Sequence, residues 1–178
     1  DVCSSDLRKC VLLMKKNVKT FKGTTCYCYL TENRKKIIKK CNIETSEKKI
    51  KNIKTIKNKL ESIEFGQKSA KVLKIGEFNR VLDGFSYDQN FLSRSKSNKF
   101  SNREKFIYIL RMLSELVKSD LFIWDLGMNN FIINNDGIFY IDSHSLICSN
   151  KEYFKNKKTL PRLMIYNLLI LAISYYYE

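Results

Sequence analysis

The chain has 178 residues, and its 33 Lys and Arg against 18 Asp and Glu give a formal net charge of +15. This length suits one domain or two small lobes, and it is sufficient to bury a core. A composition with 44% hydrophobic and 12% aromatic residues excludes wholesale disorder. Because His144 is the single histidine, most histidine-based catalytic triads and zinc sites are excluded as well.

The charge excess raises the question of nucleic-acid binding. Most of the basic residues are Lys, whereas Arg reads phosphates and bases better and is expected in a dedicated binder. The Lys residues concentrate in residues 35–74, where a Lys-covered helix is expected, so a solvated surface explains them better. Such a surface could also dock an acidic protein partner, and nucleic-acid binding stays the less favoured alternative.

The six cysteines form no Cys-x-x-Cys pair, which disfavours a zinc ribbon and indicates reduced thiols. No signal peptide is apparent, so we expect a cytoplasmic protein, or a secreted effector that acts in a host cytoplasm. Residues 1–10 lack a pattern continuous with the rest and are predicted to be non-native or disordered. The apolar stretch at 163–177 is too short to span a membrane and predicts a buried helix.

The N-terminal part of the chain is predicted to be rich in β-structure. Isoleucines and a leucine recur at three- and four-residue spacing from Ile50 to Ile63, which predicts an amphipathic helix ending at Gly66. A connection is expected to start at Gly84. Strands are predicted at 11–13, 18–21, 24–30, 36–41, 72–75 and 80–82.

The second half is predicted to begin with a polar loop at 91–102 and a helix at 103–118. A short apolar strand at 121–124 ends at Asp125. Strands at 131–133 and 138–141 are joined by Asn-Asn-Asp-Gly, a strong hairpin signal because Asp-Gly tolerates positive φ. A polar stretch at 143–159 then precedes the final helix. The residues predicted on the buried side of the 103–118 helix are Phe106, Ile107, Leu110, Leu113, Leu116 and Val117.

Three polar residues are expected to meet at the ends of these strands. Asp125 closes one strand, Asn130 follows five residues later, and the hairpin brings Asp142 back beside them. Two carboxylates and an amide offer hard oxygen ligands, which suit a Mg²⁺ ion that also takes water and substrate phosphates. Asp125 is then available to orient or deprotonate an attacking hydroxyl group.

The segment from Trp124 to Asp142 resembles the catalytic and metal-binding loops of the protein-kinase-like superfamily. The family pattern is His-Arg-Asp followed by an Asn five residues after the Asp, a hairpin, and Asp-Phe-Gly. The resemblance implies that Asp125 is the catalytic Asp and that Asn130 and Asp142 bind Mg²⁺. It also implies that ATP is the phosphate donor.

The front of the chain carries a weaker form of the same resemblance. Residues 21–29 are similar to a phosphate-covering loop between two strands, which implies that Gly23, Thr24 and Thr25 contact ATP. Ile-Ile-Lys at 37–39 resembles the family's Val-Ala-Ile-Lys, so Lys39 is implied to hold the α- and β-phosphates. Lys40, on the opposite strand face, is the alternative. The family's partner for this Lys is a helical Glu, for which Glu61 is the candidate and Glu64 the alternative.

Several positions depart from the family pattern. Ile123 and Trp124 stand where His and Arg are usual, so control by phosphorylation of an activation loop is not expected. Ser143-His144 replaces Phe-Gly. Gly127 occupies the place where protein kinases usually carry a Lys that contacts the γ-phosphate.

The sequence thus predicts an α+β, bilobal protein-kinase-like fold with a small β-rich N-lobe at 11–84 and a truncated α-rich C-lobe at 85–178, and ATP between them. The predicted activity is transfer of the γ-phosphate of ATP to a hydroxyl acceptor, with protein Ser/Thr preferred. One alternative is a small-molecule kinase of the aminoglycoside, choline or lipopolysaccharide-sugar type. The Gly at position 127, where protein kinases usually carry a Lys, favours this alternative. Another is a pseudokinase that acts as a binding module.

Overall fold

The computed structural model describes residues 20–22, 26–31, 33, 35–41, 47–81, 84–93, 99–123, 125–148 and 168–169. Within these ranges the chain is mixed α/β, with a β-rich N-terminal region and two helices. The sequence predictions for residues 1–19, for Gly23, Thr24 and Thr25, and for most of the final helix lie outside the described residues. In chain order the elements are β1 (Thr20–Lys22), β2 (Cys26–Leu30), β3 (Lys36–Cys41), α1 (Glu47–Ser62), β4 (Lys71–Val72), β5 (Phe78–Val81), β6 (Gly84–Asn90), α2 (Asn102–Lys118), β7 (Leu121–Ile123), β8 (Phe131–Asn134), β9 (Gly137–Tyr140) and β10 (Leu146–Cys148).

The chain divides into two compact units, Asp1–Thr45 with Gly76–Phe91, and Ser46–Ile75 with Leu92–Glu178. The described strands of the first unit form an antiparallel sheet in the order β1-β2-β3-β6-β5. The strand predicted at 36–41 is β3. The predicted lobe boundary between residues 84 and 85 stays a prediction.

Strand β6 was not expected, because the sequence indicated a connection from Gly84 onward. The segment Gly-Phe-Ser-Tyr-Asp-Gln-Asn contains several residues that are poor strand formers. Its alternation nevertheless buries Phe85, Tyr87 and Gln89 on one face, as a half-buried strand requires. Pairing on both sides, with β3 and with β5, outweighs the weak intrinsic preference.

The second unit contains both helices. The predicted apolar stripe of α1 is buried, from Ile50 through Ile56 to Ile63. Burying an aliphatic side chain of this size contributes about 1.5–3 kcal/mol, so the stripe, rather than helix propensity, holds the helix in place. In α2 the prediction is corrected at two positions, because Leu110 and Val117 are exposed while Ile109 and Met112 are buried.

The start of α2 is defined by a capping box. The Ser101 hydroxyl accepts the Glu104 N–H, and the Glu104 carboxylate accepts the Ser101 N–H at 2.8 Å. Two main-chain donors that a helix start leaves without partners are thereby satisfied.

The predicted hairpin is confirmed as β8 and β9, and β9 also pairs in parallel with β4 to complete a three-stranded sheet. The Asn134 side chain accepts the N–H groups of Asp136 and Gly137, and Gly137 adopts φ 148°, a conformation that favours glycine. The stretch predicted as polar after Asp142 contains β10, which pairs antiparallel with β7. Across the described residues, no helix combines the length and the apolar character needed to cross a membrane.

Candidate active site

Asp125 lies in the second unit, two residues after the end of the buried strand β7. Its exposed carboxylate accepts two N–H groups from the loop that follows. Gly127 donates its main-chain N–H to Oδ1 at 2.8 Å, and Asn130 donates its side-chain Nδ2–H to Oδ2 at 3.0 Å. The loop therefore folds around the carboxylate and sets its orientation, while the second lone pair of each oxygen is not used by these bonds.

Asn130 ends a short 3₁₀ turn that begins at Met128. Its main-chain N–H donates to the Gly127 carbonyl at 2.9 Å, and its own carbonyl accepts the Ile141 N–H at 2.8 Å. Because the side-chain Nδ2 faces Asp125, the amide oxygen Oδ1 is on the other side of the group. The three predicted residues are thus brought to one end of the hairpin, with Asn130 beside the residue that precedes Asp142.

Asp142 follows β9 and its side chain is about three-quarters buried, with 23% of it exposed. The carboxylate Oδ1 lies 2.9 Å from Nδ1 of His144. A carboxylate accepts hydrogen bonds, so an N–H at Nδ1 of His144 would donate to it. His144 departs from the family pattern. In the structure its ring lies against the carboxylate of Asp142, the predicted metal ligand.

Ser143 and Ser145 hold the main chain on either side of His144. The buried Ser143 hydroxyl donates to the Leu73 carbonyl. The main-chain N–H of Ser145 donates to the Asp142 carbonyl at 2.9 Å, and its hydroxyl lies 2.8 Å from the same carbonyl. The turn after Asp142 is therefore fixed by the Ser143 and Ser145 hydroxyls.

Tyr140 is a site residue that the sequence analysis missed. Its side chain is fully buried, and its hydroxyl lies 3.0 Å from the Asp125 carbonyl and 2.6 Å from the Ser145 hydroxyl. Burial raises the pKa of Tyr140 well above its ordinary value, with the nearby Asp142 and Asp125 carboxylates acting in the same direction. The available signal was the alternation in β9, which predicts that Ile138 and Tyr140 share the buried face.

Gly127 has a local reason to lack a side chain. A Cβ built on this residue would lie 3.0 Å from the Asp125 Oδ1 atom, tighter than ordinary contacts. A side chain here would press against the carboxylate that the Gly127 N–H holds. This close approach explains why a residue with a side chain is disfavoured at position 127.

Lys39 lies in the first unit on β3, between Cys28 of β2 and Tyr87 of β6. Only 7% of Lys39 is exposed, and its Nζ lies 5.9 Å from the centre of the Tyr87 ring. Lys40 points to the opposite face and is partly exposed. Buried lysines are rare, so this face of β3 has an unusual environment for a charged group.

The two candidate glutamates lie in the second unit. Glu61 is in the last turn of α1, and Glu64 follows the end of that helix. Both side chains are exposed. Their proposed pairing with a lysine stays a prediction.

The oxygen donors at this site suit a hard metal ion. Among the described residues, no three or more His, Cys, Asp or Glu side chains gather into a group that could hold a metal ion. Asn130 and Asp142 offer an amide and a carboxylate oxygen. Such a pair fits Mg²⁺, which is usually held by one or two carboxylates together with substrate phosphates and water.

Comparison with solved structures supports the fold. The chain is similar to the Cydia pomonella granulovirus kinase PK-1, with a TM-score of 0.52 and 13% identity over 81% of this chain and 59% of that one. It is also similar to WbdD, with a TM-score of 0.56 and 12% identity over 88% of this chain and 37% of that one. No protein-family model and no curated protein sequence matches the chain.

At these identities the similarity concerns the fold alone. A kinase-like fold, which the loop motif predicted, is thereby supported for this chain. The chain spans 59% of the granulovirus kinase and 37% of WbdD.

Proposed function

We propose that this protein is a kinase-like phosphotransferase that moves the γ-phosphate of ATP to a hydroxyl group. One observation carries the proposal. The Asn130 side chain donates to Asp125, and the Asn130 carbonyl accepts the N–H of Ile141, the residue before Asp142, so all three polar residues lie at one end of the β8–β9 hairpin. The kinase-like fold of the structural neighbours supports the same reaction class.

Asp125 acts on the acceptor in this proposal. Its carboxylate is exposed, and it is oriented by the Gly127 and Asn130 N–H donors. The acceptor hydroxyl hydrogen-bonds to it, its oxygen attacks the γ-phosphorus, and the bond from that phosphorus to the bridging oxygen of ADP breaks. The hydroxyl proton passes to Asp125, and ADP leaves with the bridging oxygen.

Asn130 and Asp142 hold Mg²⁺ with the ATP phosphates in this proposal. Bound there, Mg²⁺ supplies charge neutralisation on the transferring phosphoryl group. Asp142 provides the carboxylate, and the His144 contact at 2.9 Å limits its rotation. Asn130 provides its amide oxygen while its nitrogen stays on Asp125.

Protein Ser or Thr is the acceptor we favour, and one observation favours a small molecule instead. Gly127 stands where protein kinases carry a Lys, and its close approach to Asp125 leaves little room for any side chain. A small acceptor that brings its own positive charge would not need that Lys. Phosphotransfer to peptides and to amino sugars or choline, measured in parallel, separates the two acceptor classes.

The test is phosphotransfer from γ-labelled ATP to these acceptors by the wild type and by Asp125→Asn. Loss of a positioned general base is expected to lower the rate about 10²–10⁴-fold. The matched control is Asp136→Asn, at an exposed position in the hairpin turn. Asp136 bonds to the Asn134 side chain through its main-chain N–H, which the substitution keeps. Wild-type rates in Asp125→Asn would overturn the proposal, as would an equal loss in both variants.

A further inference from the structure

The hydroxyls of the buried Tyr140 and the half-buried Ser145 lie between the main chains of the two carboxylate residues. The Tyr140 hydroxyl is 3.0 Å from the Asp125 carbonyl and 2.6 Å from the Ser145 hydroxyl, which is itself 2.8 Å from the Asp142 carbonyl. These three contacts connect two loops that are far apart in sequence, one before β8 and one after β9.

The protons in this chain of contacts can be counted. Each hydroxyl has one proton to donate, and both carbonyls only accept. Two protons therefore serve three short contacts. An arrangement in which both hydroxyls donate to the carbonyls would leave the two hydroxyl oxygens 2.6 Å apart with no proton between them, which is unfavourable. Two arrangements remain. Either Ser145 donates to Tyr140 and Tyr140 to Asp125, or Tyr140 donates to Ser145 and Ser145 to Asp142. In both arrangements Tyr140 and Ser145 are bonded to each other, so the two hydroxyls act as one unit.

The Tyr140 side chain has little freedom to leave this position. It is 0% exposed, and its ring packs edge-on against Phe131 at 5.2 Å between centroids. Its strand is central in the three-stranded sheet, paired with β8 on one side and β4 on the other. Its carbonyl also accepts the Leu73 N–H at 2.9 Å. The hydroxyl is thus carried by the most constrained strand of the sheet.

We infer that Tyr140 and Ser145 are positioning residues that hold the Asp125 and Asp142 loops at the spacing that phosphotransfer requires. This inference rests on the proposed function. In this proposal neither residue touches the substrates, and each hydroxyl lies within hydrogen-bond distance of the main-chain carbonyl of a residue that does. A loop displacement of about 1 Å can cost about 10²-fold in rate, which is the scale on which such a link acts.

The experiment compares Tyr140→Phe, Ser145→Ala and Ser145→Thr with the wild type in steady-state phosphotransfer. Tyr140→Phe is expected to lower kcat about 10–100-fold, with KM for ATP within about threefold, because orientation rather than binding is lost. Ser145→Ala is expected to act in the same direction, and Ser145→Thr, which keeps the hydroxyl, to restore most of kcat. Tyr108→Phe is the matched control, since Tyr108 lies in α2 and its ring packs at a tilt against Phe100.

A second measurement tests the connection between the Asp125 and Asp142 loops without requiring catalytic turnover. Amide hydrogen exchange in Tyr140→Phe is expected to accelerate in both loops together, at residues 125–130 and 142–145, and to stay unchanged in Tyr108→Phe. Absence of turnover in the wild type would overturn the proposed function, and exchange would still report on the link. Unchanged kcat and exchange in Tyr140→Phe would overturn the link alone, as would Ser145→Thr behaving like Ser145→Ala.

Discussion

The carboxylate of Asp125 is oriented by N–H donors from its own loop. Gly127 contributes a main-chain donor and Asn130 a side-chain donor, at 2.8 and 3.0 Å. Hydrogen bonds of this kind fix direction as well as distance. Small changes next to Asp125 should therefore alter the rate of phosphotransfer more than the stability of the fold.

Gly127→Ala tests this orientation with a single methyl group. The new Cβ would lie 3.0 Å from the Asp125 Oδ1 atom, so the carboxylate must shift by a few tenths of an ångström. We expect kcat to fall about tenfold or more, with a change in unfolding free energy below about 1 kcal/mol. Gly66→Ala is the control, because a Cβ there meets no atom within 4 Å. Unaltered kcat in Gly127→Ala would show that the carboxylate tolerates the shift.

Lys39 and Lys40 form a natural pair of test positions on opposite faces of β3. Lys39 is buried and Lys40 is partly exposed. If Lys39 holds ATP phosphates, Lys39→Met should raise KM for ATP about tenfold or more, since a charge-assisted contact contributes about 1.5–3 kcal/mol. Lys40→Met should leave KM unchanged. Equal effects in steady-state assays of the two variants would contradict the assignment of Lys39.

At the scale of elements, strong periodicity made some predictions correct. The stripe from Ile50 to Ile63 predicted α1, and the Asp-Gly turn predicted the β8–β9 hairpin. Strands β6 and β10 were missed for different reasons. Gly84–Asn90 has few strand-favouring residues, while Leu146–Cys148 is too short for an alternation to be visible. Both are stabilised by pairing with partners distant in sequence, which a local pattern does not contain.

The candidate site was predictable to a similar extent. Spacing predicted that Asp125, Asn130 and Asp142 lie at one end of the hairpin, because strands and a tight turn constrain where their ends lie. The structure joins Asp125 to Asn130, and Asn130 to the residue before Asp142, while the roles of the three residues stay predictions. The roles of Tyr140 and His144 depend on how side chains pack around those ends. Such contacts follow from the tertiary structure and have no fixed spacing in the sequence.

The capping box of α2 gives a prediction on pH dependence. The Ser101 N–H, and then the Ser101 hydroxyl, hold the pKa of Glu104 below its ordinary value of 4.5. A carboxyl group whose pKa is lowered by folding stabilises the fold above its ordinary pKa. That stabilisation is lost as the pH falls through the lowered value.

Ser101→Ala removes part of that effect. The variant is expected to lose about 0.5–2 kcal/mol at neutral pH through the missing cap. Its urea midpoint should also fall less steeply than that of the wild type as the pH drops below the ordinary pKa of Glu104, 4.5. Ser93→Ala, which removes an exposed hydroxyl outside the helices, serves as the control in the same titrations. Identical pH profiles for Ser101→Ala and wild type would contradict the capping account.

At the scale of the whole molecule, the net charge of +15 is a poor guide to the proposed chemistry. The exposed Lys51 and Lys54 lie on the outer face of α1, opposite its buried isoleucines. The proposed catalytic groups lie instead around the β8–β9 hairpin, and two of the three are acids. An acidic protein partner for the Lys-rich surface stays a prediction, and affinity for nucleic acid would have to fall steeply with salt to support the alternative.

Thermal unfolding with ATP, with and without Mg²⁺, measures whether Asp142 holds Mg²⁺ together with the nucleotide. At a ligand concentration about 100 times its Kd, binding adds about 2.7 kcal/mol, which raises the Tm of a chain of this size by about 5–10 °C. We predict that this shift requires Mg²⁺ in the wild type and in Asp136→Asn, and that it disappears in Asp142→Asn. A wild type that is not stabilised would mean that the chain binds no Mg²⁺–ATP, and an Asp142→Asn variant that keeps the full Mg²⁺-dependent shift would mean that Asp142 does not hold the metal ion.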